Sequence, residues 1–113
     1  MRNTIRVAQE AILVAAVSSN GPAIVLSDVD AKAIAPELFW AAFQNDAQFC
    51  NVTKRLYIYE AVYDEVRDAL VEFIDANIKV GDGTEADTDL GSIQNSMQYG
   101  KVKDYFADCH ANG

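Results

Sequence analysis

Two short apolar runs flanking one helical pattern constrain this chain more than anything else in it. Ala23-Ile24-Val25-Leu26, rich in β-branched residues and bounded by Asn20-Gly21 and Ser27-Asp28, reads as a buried strand. Leu56-Tyr57-Ile58-Tyr59 alternates aliphatic and aromatic side chains and reads as a second. Between them Ile34, Leu38 and Ala42, with Phe39 and Phe43, recur at helical spacing, and Asp28 or Asp30 can cap the helix they mark. Strand, helical crossover and strand form a βαβ unit, which sets the two strands parallel. The expected fold is therefore α/β, a small parallel βαβ-containing unit with three or four helices. Pro36 disturbs the pattern: inside a helix it removes a hydrogen bond and clashes with the carbonyl four residues back, which predicts a kink or a break into two short helices. Trp40 and the phenylalanines are expected in the core.

Downstream, Val62, Val66, Ala69, Leu70 and Phe73 form one stripe of a helix over residues 61–76, with Asp64, Glu65, Arg67, Asp68 and Glu72 on its solvated face. Asn77 can end that helix, and Ile78-Lys79-Val80 reads as a brief extended piece. A last helix over residues 96–111 places Tyr99, Val102, Phe106 and Cys109 on one side, weakened by Gly100 by about 1 kcal/mol relative to alanine. On that stripe Cys109 is expected to be a packed thiol, and His110 has no spaced partner for a metal site. Upstream, the apolar run 11–17 carries no periodicity to separate strand from helix, although its alanines and Gly21 beyond it favour helix. Residues 1–113 read as one domain, with 1–21 as a divergent N-terminal segment.

Composition narrows the function classes. Half of the 113 residues are hydrophobic, enough for a modest core, and the net charge of -8 repels both nucleic acid and anionic membrane surfaces. The run 11–17 falls far short of the roughly 20 residues that span a bilayer. Gln9 and Glu10 break the approach from Arg2 and Arg6 that a secretion signal would need, so the Asn51-Val52-Thr53 sequon carries no meaning. Cys50 and Cys109 form no C-x-x-C pair, which fits a reducing, cytoplasmic setting. The loop 81–92 offers Asp82, Glu85, Asp87 and Asp89 without the spacing or closing glutamate of a calcium loop, and no metal is expected there.

The chemistry concentrates at Cys50, displayed between the end of the first helix and the second strand, where a substrate can reach a thiol without the core opening. Its context, Phe43, Asn45, Gln48 and Cys50, resembles the F-x-N-x-G-Q-x-C nucleophile motif of the aldehyde dehydrogenase superfamily, with Ala47 where that family has glycine. Thr53-Lys54-Arg55 and the strand after it are also similar to the family. So are, in order, Pro22 to Leu26 with Asp28 to Asp30, Pro36 to Trp40, Tyr63-Asp64-Glu65, Val80-Gly81-Asp82, and Leu90-Gly91 with Ile93-Gln94-Asn95. The resemblance extends over about four fifths of the chain.

It implies an NAD- or NADP-dependent oxidation of a small aldehyde. Cys50 would be the nucleophile, Phe49 and Asn51 would line the substrate pocket, and the backbone N–H of Cys50 would supply one oxyanion donor. There are departures from the pattern. The family's general base sits in an E-L-G-G motif directly before the first strand, and here Ala16-Val17-Ser18-Ser19 stands in that place, with Glu10 the nearest upstream carboxylate. Ala47 would strain its turn if that position needs a positive φ. None of the six glycines builds a G-x-G-x-x-G cofactor loop. Lys54 and Arg55 are the only cations close to the thiol in sequence. Two other readings stay open: a non-catalytic module that self-associates as a homo-oligomer or docks on a partner chain through apolar edges, and a thiol esterase, which needs no nicotinamide.

Overall fold

A computed structural model describes residues 5–8, there as backbone only, and 21–112. The run 11–17, Glu10 and the Ala16-Val17-Ser18-Ser19 segment lie outside the described residues.

Three strands form the sheet: β1 (Ile5–Ala8), β2 (Pro22–Val25) and β3 (Arg55–Tyr59), in the order β1-β3-β2. β2 runs parallel to β3, with Ala23 opposite Leu56 and Val25 opposite Ile58, so the expected parallel pair is present. β1 was not anticipated. It pairs antiparallel to β3, Ile5 opposite Tyr59 and Ala8 opposite Leu56, which makes the sheet mixed and β3 its central strand.

Helix α1 (Ala31–Phe43) joins β2 to β3, and Asp30 caps it through its side-chain oxygen, which accepts from the amides of Lys32 and Ala33 at 3.1 Å each. Contrary to the expectation for Pro36, α1 is one continuous helix. The bond that proline forfeits would have ended on the carbonyl of Lys32, an exposed residue whose carbonyl water can satisfy. Ala35 and Phe39, on either side of the proline, are both buried and hold the two halves on the same core.

A 3₁₀ turn, Glu60–Val62, leads from β3 into α2 (Tyr63–Asn77). Val66 and Ala69 of α2 are buried against Val25, Ala31, Ala35, Leu56 and Ile58, with Val62, Leu70 and Phe73 packed around them, so the stripe read from the sequence is the core-facing one. Alternation along β3 follows: Leu56 and Ile58 face the helices, while Arg55 lies in solvent and Tyr57 and Tyr59 are half-buried. Phe39 stacks on Phe43 (centroids 5.0 Å apart) and meets Phe73 at 5.8 Å. Trp40 corrects the expectation of a core residue: it packs edge-on to Phe39 at 5.1 Å but is exposed at the rim.

After α2, the loop to α3 (Ser96–Asn112) folds on itself. Val80 pairs with Leu90 in an isolated parallel bridge, and Gly81 N–H donates to Leu90 O at 3.0 Å. The loop's carboxylates are taken up locally. Lys79 Nζ lies 2.7 Å from Asp87 and 3.4 Å from Glu85, its amide donates to Asp89, and Asp82 accepts from both the amide and the hydroxyl of Thr84. Those two donors hold the Asp82 carboxyl below the usual carboxylate range. Among the described residues no three His, Cys, Asp or Glu side chains converge as metal ligands. α3 has no buried residue, so Cys109, expected to be packed, is exposed together with Tyr99 and Phe106. Among the described residues no other element buries the face that the periodicity marks on α3.

Candidate active-site loop around Cys50

α1 ends where Gln44 leaves helical geometry (φ -51°, ψ 131°), its N–H still donating to Trp40 O. Asn45, Asp46 and Ala47 then follow with φ of 53°, 56° and 60°, three successive residues in the left-handed region. Asparagine and aspartate tolerate that region; alanine does so at a cost of about 1–2 kcal/mol, because its Cβ crowds the following carbonyl. The position at which the sequence carries alanine in place of the motif's glycine is therefore one that requires a positive φ. Ala47→Gly should stabilise the chain by roughly 0.5–1 kcal/mol, the relief of strain less the entropy that glycine adds to the unfolded chain. A urea midpoint that stays put or falls would show the turn to be unstrained.

The loop is tied at both ends and in its middle. Thr53 N–H donates to Ala41 O at 2.8 Å, closing it on the last turn of α1. Lys54 and Arg55 N–H both donate to Gly21 O, at 2.7 and 3.2 Å, fastening it to the residue that opens β2. Gly21 is required there by close approach: a Cβ at that position would stand 3.0 Å from the carbonyl oxygen of Val52, which is buried. In the middle, Asp46 Oδ1 accepts from Gly91 N–H at 2.8 Å in a partly buried bond, and Gln48 Oε1 accepts from Gln94 N–H at 3.0 Å.

Within this frame Phe49, Cys50 and Asn51, the three site residues expected from the sequence, are all exposed, at the amino ends of β2 and β3. Lys54 lies close by. Its ammonium donates to Phe49 O at 3.5 Å, and burial lowers its pKa, an effect partly offset by the attraction of the Cys50 sulfur. His110 is on α3, and among the described residues no hydrogen bond joins it to the Cys50 thiol. Two surface concavities among the described residues, one lined by Gly91, Ser92, Ile93, Asn95, Ser96 and Tyr99, the other along α3 by Lys101, Asp104, Tyr105 and Asp108, do not include Cys50. What sequence reading missed is the role of Asp46. Asn-Asp before a short residue is a turn signal, but nothing local points to a partner 45 positions away.

Residues 4–113 match the model of the aldehyde dehydrogenase family. A probable aldehyde dehydrogenase of a Pseudomonas species is 41% identical over 83 residues, which is 74% of this chain and 17% of that relative. Among solved structures, an oxidoreductase from Marinobacter aquaeolei superposes with a TM-score of 0.74 at 32% identity, covering 83% of this chain and 19% of the other. The betaine aldehyde dehydrogenase of Staphylococcus aureus, solved in complex with NAD+, also gives 0.74, covering 82% and 18%; at 24% identity it shows the shared fold. The chain thus spans about a fifth of the length of the relatives it matches, and over the superposed part it shares the α/β fold of the solved oxidoreductase. This chain belongs to the aldehyde dehydrogenase family.

Proposed function

We propose that these residues form the nucleophile-bearing segment of an enzyme that oxidises a small aldehyde, with Cys50 as the attacking group and Phe49 and Asn51 beside the substrate. The observation that carries this reading is the exposed thiol at the motif position of a loop hydrogen-bonded at three separate points. In the covalent step the Cys50 thiolate adds to the carbonyl carbon and the carbonyl π pair moves onto oxygen. The oxyanion so formed lies within reach of donors such as the Cys50 N–H. NAD or NADP is the hydride acceptor that the family implies. The described residues do not fit it: neither strand-to-helix junction, residues 26–30 before α1 or Glu60–Val62 before α2, contains a glycine, so neither offers a pyrophosphate cradle. We therefore assign these residues the covalent step alone. Among the described residues no helix is long and apolar enough to cross a membrane. A cytoplasmic setting is proposed from the two free thiols.

Apolar groups left in solvent favour association with further polypeptide, a second copy or a partner chain. Among the described residues β2 lies at the edge of the sheet with Ile24 exposed, Leu26 just after it is exposed too, and α3 presents Met97, Tyr99, Tyr105 and Phe106.

The test is acylation by para-nitrophenyl acetate, in which the thiolate takes the acetyl group and nitrophenolate leaves. A burst with the acetyl group mapped to Cys50 by mass spectrometry, lost in Cys50→Ser and kept in Cys109→Ser, is expected. Equal labelling of the two cysteines would end the proposal.

A further inference from the structure

We propose that Asp46 is a positioning residue for Cys50, acting with Gln48 to seat the nucleophile's turn on the backbone of residues 91–94; this rests on the reading of Cys50 as the nucleophile. Left-handed residues occur singly far more readily than three in a row, and Ala47 is held there at a cost, so the turn needs an outside anchor. The anchor is a pair of backbone amides, Gly91 N–H on Asp46 Oδ1 at 2.8 Å and Gln94 N–H on Gln48 Oε1 at 3.0 Å. The two side chains lie on either side of the strained Ala47, and the thiol follows two residues after the second. The turn is drawn in further from within, because Gln48 N–H donates to Asn45 O at 2.9 Å. The seat is made by glycines. Gly91 packs against Gly83, and a Cβ on Gly91 would stand 3.6 Å from the Gly83 Cα and 3.7 Å from Asp46 Oδ2, so the carboxylate settles against bare backbone. Asp46 therefore sets the direction in which Cys50 leaves the turn, and with it the alignment of the sulfur with the donors around a developing oxyanion.

Two reactions of the same thiol separate alignment from mere availability. Alkylation by iodoacetamide needs an exposed thiolate and no oxyanion stabilisation, whereas acylation by para-nitrophenyl acetate needs both. The ratio of the two rates at Cys50, measured in a Cys109→Ser background, cancels exposure and thiolate fraction. Asp46→Ala should lower that ratio by about tenfold or more, since a displacement on the order of 1 Å is enough to do so. Asp46→Asn retains an oxygen acceptor for Gly91 N–H and should stay within about twofold of the parent. Gln48→Ala should lower the ratio in the same direction, and it carries the test alone if circular dichroism shows Asp46→Ala to be unfolded. An unchanged ratio in the folded alanine variant, or an equal fall in Asp46→Asn, overturns the positioning role while leaving Cys50 as nucleophile. A parent ratio at Cys50 no higher than that at Cys109, measured in Cys50→Ser, overturns the nucleophile reading itself and the positioning role with it.

Discussion

Ile58→Ala should lower the stability of this chain by about 2–5 kcal/mol, a large part of the roughly 5–15 kcal/mol that holds a domain folded. Ile58 is 1% exposed on the central strand, paired on both sides, and it belongs to the core shared with Val66 at 0%. Truncation removes three carbons at a point where neither a strand edge nor solvent can move in. The cost is therefore the transfer free energy of those carbons plus that of the cavity they leave. Ile24 is the internal control. It carries the same side chain on the neighbouring strand but is 68% exposed, so Ile24→Ala should change stability by no more than about 0.5 kcal/mol. Urea denaturation of the two variants side by side measures the contrast, and equal midpoints would mean that the helices do not cover the face assigned to them.

Gly21→Ala should destabilise by about 1–3 kcal/mol and disturb the cysteine loop as well. Where space allows, exchanging glycine for alanine stabilises by about 0.4–1 kcal/mol through the unfolded chain, so the sign depends on whether the neighbour can give way. Here the neighbour is the carbonyl of Val52, 3.0 Å from the new Cβ, and Val52 is only 4% exposed. The Gly21 carbonyl also accepts the amides of Lys54 and Arg55, so backbone that moves to relieve the clash lengthens the bonds joining β2 to the loop. A fall in melting temperature accompanied by slower acylation of Cys50 is the expected pair of results. A rise in melting temperature would show that Val52 yields freely.

Both variants probe parts of the fold that differ in how far they could be read from residues alone. The parallel pair, α1 between its strands and the buried stripe of α2 follow from periodicity, a local property: Leu56 and Ile58 alternate with Tyr57 and Tyr59, and Val62, Val66, Ala69 and Phe73 recur every three or four residues. The strain at Ala47 was also legible, because a glycine position filled by alanine raises the question of φ before any coordinates do. Periodicity did not reveal Trp40 at the rim or Cys109 in solvent, since it marks a face without telling whether anything packs on it.

By itself, then, the sequence determined the order of strand, helix and strand, the helical face that enters the core, and the family motif that singles out Cys50, because each is written in residues a few positions apart. Only the tertiary structure decided that β1 joins β3 antiparallel, that the Gly21 backbone passes against Val52, and that Asp46 and Gln48 fasten the cysteine turn to Gly91 and Gln94. In each, the backbone of one segment meets a segment far away in the chain. A backbone amide or carbonyl looks the same at every residue, so nothing in the residue types records which distant partner it will meet.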